Sequence, residues 1–362
     1  MRLSRFVLPA IVLAILVYLV VVRVPPEHFH RQQYFAMGTL VDITVRDSDR
    51  DKASAAMSAV GQQLNQFGLD WHPSKGDKLA RVNKQIAETG VAWVPSEMEA
   101  LFVRAQDISK RSGGLFDPAI GALVALWGFG SEDRVLSQPP PKLAISERVN
   151  ALKPFWALEF ANGSLHAPYI TQLDFGAFAK GYSVDLSIDT LKVAGIKHAI
   201  VNAGGDLRVI GQHSLRKWSI GIRHPRKEGQ VAFAEIKLAD GEAAFTSGDY
   251  ERFFFHSQGV DGEPVRYHHI LDSRTGYPSS GCMSATVITN NAALADAAAT
   301  ALCIAGEKRW EETMESLNTP LAMLVTPEGK LLMSEAMAER VTLNSNSDFK
   351  VEIFKLFRRE QR

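Results

Sequence analysis

Two short segments, roughly a hundred residues apart, carry residues that could do chemistry. The first runs Asp-Phe-Gly-Ala-Phe-Ala-Lys over 174–180 and continues as Gly-Tyr-Ser-Val-Asp over 181–185. Its small residues leave the backbone open and deliver a lysine at the start of a predicted helix, which suits a pyrophosphate. The second, over 294–300, places Asp296 and Thr300 four residues apart, so that on a helix both oxygens share one face. A phosphate cradle and two oxygen ligands predict magnesium-assisted chemistry on a nucleotide.

Each segment also has an ordinary structural interpretation. Asp296 and Thr300 at this spacing are often a solvated helix face or a cap, and the turn before Lys180 is often only a turn with a solvent-facing lysine. The flanking alanines favour a site, because so small a face lets another backbone approach closely. The cradle has neither the spacing of a Walker loop nor a GxGxxG pattern, so neither of those loops is predicted.

A pair of histidines supplies a candidate base. Because adjacent residues of a strand point to opposite faces, His268 and His269 are not expected to bind one ion together, and at most one is expected at a site. That histidine would be a general base or a neutral donor to a phosphate oxygen. Polar turns at 202–206 and 246–249 are compatible either with holding a nucleotide or with ordinary turns.

Apolar and aromatic side chains could hold a flat ring system. Met37, Trp71 and Phe116 are of this kind, and Asp117 adds a single carboxylate beside the last of them. Side chains of this kind are more often part of a hydrophobic core.

The elements that must position these residues are strands and helices in irregular alternation. This interleaving predicts an α+β fold of mixed sheets with packed helices rather than a doubly wound sheet. The patterns predict strands over 34–45, 199–202, 218–223, 284–289 and 321–325. They predict helices over 51–67 and 95–112, a helix that follows the first chemical segment, and a helix that carries Asp296 and Thr300.

Composition excludes several classes of protein. The 362 residues carry 40 basic and 40 acidic side chains, so no excess charge would drive non-specific binding to nucleic acid. Two cysteines, Cys282 and Cys303, are too few for a disulfide framework or a cysteine-based zinc site. We expect two small buried thiols, with one disulfide as the alternative in an oxidising compartment.

The amino-terminal segment predicts a membrane anchor. Arg2 and Arg5 precede an uncharged apolar run over 6–22, which ends before Pro25 and Pro26 without a small-residue cleavage site. We therefore expect residues 1–26 to be an uncleaved anchor, with the arginines in the cytoplasm and the rest of the chain outside it. A cleaved signal peptide is the alternative.

Taken together, these segments resemble the FAD:protein FMN transferase (ApbE) family from about Tyr34 to Gly306. The resemblance predicts an ApbE-like domain over 30–345, and residues 346–362 are expected to form a basic tail. The matching motifs follow the family's order and are AMGT at 36–39, FDPAIG at 116–121, LWGFG at 126–130, LDFGAFAKGYSVD at 173–185, VNAGGD at 201–206, TSGDYERFF at 246–254, HHILDSRTGYP at 268–278 and LADAAATAL at 294–302.

The resemblance implies a reaction and a role for each matching residue. In the family, FMN moves from FAD to a threonine hydroxyl of a target protein, AMP is released, and Mg²⁺ (with Mn²⁺ as the other possibility) bridges the FAD pyrophosphate. The implied metal ligands are the side chains of Asp296 and Thr300 and the backbone carbonyl of Ala177, and His269 is implied as the catalytic base. The implied FAD contacts are Met37, Trp71, Phe116, Asp117, Lys180 and the backbone near Ile270.

The resemblance also implies partners and a location. The acceptors would be flavin-carrying subunits of sodium-pumping NADH:quinone reductase or of Rnf-type complexes, and the anchor would hold the domain on the periplasmic face of a bacterial inner membrane. A magnesium-dependent FAD pyrophosphatase and a non-catalytic FAD-binding protein are the alternatives. The chain departs from the family at Ala177, where a glycine is common, at Trp71, where tyrosine is usual, and in having no lipid-accepting cysteine after the anchor.

Overall fold

The computed structural model describes residues 27–130, 138–229, 231–257 and 262–355. The helices are α1 Arg50–Asp70, α2 Lys78–Thr89, α3 Ser96–Arg111, α4 Gly121–Trp127, α5 Lys142–Ala151, α6 Gly176–Val193, α7 Ala292–Leu317 and α8 Glu335–Ala338, with a 3₁₀ turn at Phe155–Ala157. The strands are β1 His28–Ala36, β2 Thr39–Asp47, β3 Val91–Trp93, β4 Glu159–Ala161, β5 Ser164–His166, β6 Ala199–Ala203, β7 Asp206–Ile210, β8 Trp218–Arg223, β9 Ala232–Leu238, β10 Ala243–Gly248, β11 Phe253–Ser257, β12 Pro264–His268, β13 Ser284–Thr289, β14 Leu321–Val325, β15 Lys330–Ser334, β16 Val341–Leu343 and β17 Lys350–Phe354.

A nine-stranded sheet forms the centre of the fold. Its strand order is β1-β2-β6-β7-β10-β13-β14-β15-β17, and every neighbouring pair is antiparallel except β15 and β17. Two three-stranded sheets, β16-β9-β8 and β3-β5-β4, and the hairpin β11-β12 accompany it. The predicted α+β class with mixed sheets is confirmed.

Both faces of the large sheet are covered. Helices α1, α6 and α7 pack on one face and bury the larger hydrophobic core against it. The small sheet β16-β9-β8 covers the other face, where Phe233 and Ile236 share a buried cluster with Val209 and Met333. A third cluster, centred on Trp127, joins α4 and α5 to the hairpin β11-β12.

Strand β13 leads directly into helix α7. It lies between β10 and β14, and its first five residues are buried, as is typical of a short apolar strand covered on both faces. The side chain of Asn291 then caps α7 by accepting the N–H of Leu294. The predicted order of strand and helix around Asp296 is therefore present.

Small residues allow α6 and α7 to approach closely at their first turns. A Cβ atom on Gly181 would lie 2.6 Å from the carbonyl carbon of Ala292 and 2.8 Å from Cα of Ala293. The alanines of the first three turns of α7 are fully buried. The inference that this face admits another backbone is confirmed, and the helices pack backbone to backbone.

The expected single strand over 34–45 is a hairpin. β1 and β2 pair along their whole length, with Ala36 opposite Thr39. The chain reverses at Met37 and Gly38, whose φ angles are 53° and 71°. Because residues on both sides of the turn alternate in the same way, the pattern does not mark the reversal.

The two cysteines form a disulfide, so the expectation of two thiols is wrong. Cys282 precedes β13 and Cys303 lies in α7, both side chains are buried, and their Cα atoms are 5.0 Å apart. Next to them a Cβ atom on Gly281 would lie 2.9 Å from Cα of Gly306, where α7 is interrupted by a positive φ of 60°. The disulfide therefore ties the approach to β13 to the third turn of α7.

The two ends of the chain differ in how far the structure tests them. Lys350–Phe354 form β17, which pairs in parallel with β15, so this part of the expected tail over 346–362 is an edge strand. The expected anchor over 1–26 lies outside the described residues. Within the described ranges, the helices lack the length and apolarity needed to cross a bilayer.

Breaking the disulfide is expected to destabilise the fold. The bonded residues are 21 apart in sequence, and closing a loop of that size stabilises a protein by roughly 3 kcal/mol. We expect dithiothreitol to lower the melting temperature of the wild type and to leave that of the Cys282→Ala/Cys303→Ala variant unchanged, as measured by calorimetry. An equal response of both proteins would contradict a disulfide.

The Gly181 contact yields a second stability prediction. Gly181→Ala forces a methyl group into the backbone of α7, so we expect a loss of about 1–3 kcal/mol in the free energy of unfolding. Gly176→Ala is the matched control in the same helix, since its Cβ would meet only the carboxylate end of Asp174. Urea titrations measure both, and equal stabilities would show that α6 can move away from α7 without cost.

Candidate active site

Lys180, in the second turn of α6, is the cationic side chain at the centre of the site. The half-buried side chain of Lys180 places Nζ 2.6 Å from Oδ2 of Asp206, the first residue of β7. The charge of Asp206 raises the pKa of Lys180, and Asp296 and Glu251 add to this effect. The lysine is therefore held protonated among carboxylates.

Asp206 ends the turn at 202–206, for which the sequence left a nucleotide contact and an ordinary turn equally open. Its Oδ1 accepts the N–H of Thr246 in β10, at 2.8 Å, while Oδ2 receives Lys180. The carboxylate follows a turn at Gly204 and Gly205, whose positive φ angles of 67° and 105° aim the chain back into the sheet. The VNAGGD motif was the signal that could have identified it.

Asp296 and Thr300 lie on one face of α7, as their spacing predicts. Oδ2 of Asp296 accepts the N–H of Gly181 at 2.9 Å, and Oγ1 of Thr300 lies 3.0 Å from Oγ of Ser247 in β10. Burial raises the pKa of Asp296 to about 7, against the opposing charge of Lys180. Oδ1 of Asp296 makes no hydrogen bond within the described ranges, which leaves it available to a cation.

The backbone carbonyl of Ala177 lies one helical turn before Gly181. In an α-helix the carbonyl of residue 177 faces the N–H of residue 181. Asp296 accepts that same N–H of Gly181, so the carbonyl oxygen of Ala177 and the carboxylate oxygen of Asp296 lie within about 6 Å of each other. One carboxylate, one hydroxyl and one carbonyl suit Mg²⁺, which usually takes its other ligands from water and phosphate. In the part of the chain that the structure describes, no group of three or more His, Cys, Asp or Glu could hold a metal by itself.

His269 follows β12 and is held by Arg252. The backbone N–H of His269 donates to the carbonyl oxygen of Arg252 at 3.1 Å, and the ring atom Nδ1 lies 3.4 Å from the same oxygen. The ring stands edge-on to Phe129, with centroids 6.5 Å apart, and the guanidinium of Arg252 donates to the carbonyl of Phe129 at 3.2 Å. The imidazole is thus fixed between a backbone carbonyl and an aromatic ring.

The surroundings of His269 keep its imidazole neutral. Desolvation lowers its pKa to about 3, and the charges of Arg252, His268 and Lys180 act in the same direction. Nε2 of His269 makes no hydrogen bond to the described residues, so it is open to a proton from a substrate.

The neighbouring His268 and Ile270 use their polar groups internally. Nε2 of His268 lies 2.8 Å from the carbonyl oxygen of Ser279, and its Nδ1 accepts the N–H of Ile270 at 3.3 Å. The carbonyl of Ile270 accepts the N–H of Ser279, and its side chain is in the core. A contact from the Ile270 backbone to a ligand would use the second lone pair of that carbonyl.

Trp71 and Phe116 pack against the start of α6, and Met37 lies beside Gly68 of α1. Trp71, which follows α1, lies edge-on to Phe175 with centroids 5.3 Å apart, and Phe116 packs against Phe178 at 5.7 Å. Met37 and Trp71 are half-buried, so each presents part of its side chain to a ligand. Phe116 is buried in the core and supports the helix from within.

Asp117 carries an unpaired buried oxygen. Its Oδ1 accepts the N–H groups of Ala119 and Phe155, both at 3.0 Å, while Oδ2 is buried and has no hydrogen-bond partner among the residues that the structure describes. Burial raises the pKa of this carboxyl to about 6. The free oxygen fits a hydrogen-bond donor from a ligand, or its own proton when none is bound.

A buried ion pair fixes α7 relative to α6. Asp185 of α6 accepts the N–H groups of Ala292 and Ala293, at 2.9 and 3.1 Å, which are unpaired donors of the first turn of α7. Arg208 donates to Asp185 at 2.6 Å and to the carbonyl of Asn290 at 2.8 Å. Sequence reasoning assigned neither residue a role, although Asp185 closes the cradle motif.

The whole arrangement suits phosphoryl transfer. A protonated lysine and a set of hard oxygen ligands lie where phosphate charge could be neutralised, and a neutral imidazole lies within electrostatic reach. Catalysis of phosphoryl transfer depends mainly on such positioning and charge stabilisation.

The pKa of Asp117 predicts how stability depends on pH. Because the folded-state pKa of about 6 lies above the ordinary 3.8, the stability from its proton is complete below the lower value and lost as pH rises through the upper one. Asp117→Asn keeps the Oδ1 acceptor and removes the charge, so we expect it to gain about 3 kcal/mol relative to wild type over this interval.

Urea titrations of the apoprotein from about pH 4 to about pH 7 measure this difference. Asp107→Asn is the control, since that side chain is 61% exposed. If wild type and Asp117→Asn give parallel stability curves, then the carboxyl of Asp117 is not titrating in this range.

Comparison with known proteins places the chain in a family. Residues 37–325 match the sequence profile of the ApbE family. FAD:protein FMN transferase of Rhodobacter capsulatus is 34% identical over 316 residues, which are 86% of this chain and 58% of that relative, so the chain spans little more than half its length. The enzyme of the same name from Treponema pallidum is 29% identical over 322 residues, covering 84% of this chain and 86% of that relative.

Solved structures show the same fold. The ApbE protein of Thermotoga maritima superposes with a TM-score of 0.75 at 30% identity, covering 86% of this chain and 99% of that one. The apo form of the Pseudomonas stutzeri flavinyl transferase ApbE gives 0.72 at 28% identity, covering 87% and 97%. The chain belongs to the ApbE family, and the two curated relatives compared with it are named FAD:protein FMN transferase.

Proposed function

We propose that this protein moves FMN from FAD to a threonine hydroxyl of an acceptor protein and releases AMP. The observation that carries the proposal is that the first two turns of α6 supply Lys180 and the Ala177 carbonyl, and that Asp296 of α7 reaches the same turns through the N–H of Gly181. The relatives named FAD:protein FMN transferase support the choice of substrates.

Asp296, Thr300 and the carbonyl of Ala177 would hold Mg²⁺ or Mn²⁺. Bound there, the ion would neutralise charge on the pyrophosphate and on the departing AMP. The buried Asp296 carboxylate, whose Oδ1 has no hydrogen bond within the described ranges, fits this role.

Lys180 supplies a positive charge that does not depend on metal. Its ion pair with Asp206 orients Nζ, and the pair remains partly open to solvent, because 34% of the lysine side chain is exposed. A phosphate oxygen can therefore approach Nζ without displacing the carboxylate. This interaction would strengthen as negative charge develops on the leaving phosphate.

His269 would act as the general base. Its Nε2 would take the proton from the threonine hydroxyl while the threonine oxygen attacks the phosphorus of the FMN half. The bond from that phosphorus to the bridging oxygen breaks, and the electron pair leaves with AMP. A positioned base of this kind accelerates a reaction by about 10²–10⁴-fold.

We also propose a periplasmic location, with residues 1–26 as the anchor in a bacterial inner membrane. The disulfide between Cys282 and Cys303 supports an oxidising compartment. The acceptors proposed for that location are the flavin-carrying subunits of sodium-pumping NADH:quinone reductase or Rnf-type complexes.

Transfer assays on single-site variants test the mechanism. With FAD, Mg²⁺ and the flavin-carrying subunit of a sodium-pumping NADH:quinone reductase, we expect Asp296→Ala to lose transfer. We expect His269→Ala to bind FAD as wild type does but to transfer about 10²–10⁴-fold more slowly. Covalent flavin is read by in-gel fluorescence, AMP by chromatography and FAD affinity by fluorescence titration. His166→Ala, an exposed histidine of β5, is the control.

Three outcomes would contradict parts of this mechanism. Undiminished transfer by His269→Ala would remove the base. Transfer that persists after chelation by EDTA would remove the metal. Release of AMP at the same rate with and without acceptor would identify the FAD pyrophosphatase instead.

A further inference from the structure

The open end of the hairpin β11-β12, where β11 begins and β12 ends, lies next to the proposed base His269. Strand β12 ends at His268, immediately before His269, and β11 begins at Phe253, immediately after Arg252. The carbonyl of Arg252 accepts the N–H of His269, so the pairing of the two strands continues into the site. A ligand that binds the hairpin near this open end lies close to the imidazole of His269.

The inner face of the hairpin is part of the protein core. Phe254 and Tyr267 face each other across the strands, and their rings stack at 5.4 Å. Both are buried in one cluster with Trp127 and Phe129. This packing fixes the hairpin against α4 and so fixes the orientation of the opposite face.

The outer face presents two phenyl rings and a cation to solvent. Phe253 and Phe255 are 39% and 51% exposed, and their rings meet edge to face at 5.5 Å. The guanidinium of Arg266 lies over both rings, 4.1 and 5.0 Å from their centroids. Single exposed apolar residues are ordinary, but adjacent aromatics joined by an arginine are the composition enriched at the centres of protein interfaces.

The guanidinium of Arg266 could form an ion pair with a partner protein. It forms no ion pair with any residue in the described ranges. Asp249, the carboxylate that acts on it electrostatically, is already bound by Arg226 through two contacts of 2.7 and 2.6 Å. An acidic group from a partner would therefore meet an oriented guanidinium that the described residues do not engage in an ion pair.

We propose that this outer face, formed by Phe253, Phe255 and Arg266, binds the acceptor protein through a segment with an acidic and an apolar residue near the target threonine. The inference rests on the proposed function, which requires a protein as the second substrate. The acidic residue pairs with Arg266 and the apolar one packs on the rings, so the chain that follows is directed along the hairpin to His269. Charge and apolar surface together fit a peptide segment.

Kinetics with a defined acceptor test the proposal. The probe is the flavin-carrying subunit of a sodium-pumping NADH:quinone reductase, prepared without its covalent flavin and assayed at saturating FAD. We expect Arg266→Glu and Phe255→Ser each to raise KM for this subunit about tenfold or more. We expect kcat, FAD affinity and melting temperature to remain at wild-type values. Arg104→Glu and Val103→Ser, exposed residues of α3, are the matched controls and should leave KM unchanged.

A charge exchange makes the test specific. Acidic residues around the acceptor threonine are changed to lysine one at a time. We expect one of these changes to weaken transfer by wild type and to restore most of the transfer lost in Arg266→Glu. Restoration by none of them would overturn the ion pair.

The remaining outcomes separate this inference from the proposed function. If wild type transfers no flavin, the proposed function fails. If wild type transfers flavin and both hairpin variants keep its KM, the docking surface is overturned. A lower kcat at unchanged KM would mean that the variants only disturb His269. If Arg266→Glu separates a dimer detected by light scattering, or abolishes binding to anionic vesicles, without changing KM, the face serves another partner and the proposal is wrong.

Discussion

The contact between the first two turns of α6 and those of α7 determines where Asp296 lies relative to Lys180 and the Ala177 carbonyl. Gly181 gives its N–H to Asp296, and the absence of a side chain there lets the backbone of Ala292 come into contact. Asp185, one turn further along α6, receives two N–H groups from the same end of α7. A separation of even one methyl group would move Asp296 away from the Ala177 carbonyl, because the two meet only through Gly181. The positions of the proposed metal ligands are therefore set by backbone packing rather than by side-chain length.

The charged side chains around this contact are arranged so that an anionic ligand could bind there. Lys180 is surrounded by Asp206 and Asp296, and the latter holds its proton up to about pH 7 because it is buried. A cation at the carboxylate would replace that proton, since a hard ion also compensates the buried charge. The pyrophosphate would then meet two positive centres in a region that is largely enclosed, where such interactions are stronger than in water.

The sequence predicts the local parts of this site and misses the parts that depend on distant pairing. Asp296 and Thr300 lie on one face of α7, as predicted, because a four-residue spacing on a helix needs no other element. The partner of Lys180 is Asp206, which reaches it only because β7 lies beside α6, and no spacing encodes that neighbourhood. The disulfide and strand β17 escaped for the same reason, since each depends on elements brought together by the sheet order. Phe116 shows the converse, because an aromatic residue in a matching motif is in this chain a buried support of α6.

The low pKa of His269 means that the proposed base would become effective only when substrate is bound. In the free protein desolvation and the charge of Arg252 hold that pKa near 3, which makes the imidazole a poor acceptor of protons. An anionic phosphate beside Lys180 and Arg252 would offset their charge and raise the pKa toward the range in which a base is effective. The same change would activate water as readily as threonine, unless the acceptor arrives in a fixed position and covers the imidazole. In the proposed mechanism, the hairpin β11-β12, whose two strands end next to His269 and Arg252, would provide that position, and transfer would be favoured over hydrolysis when both substrates are bound.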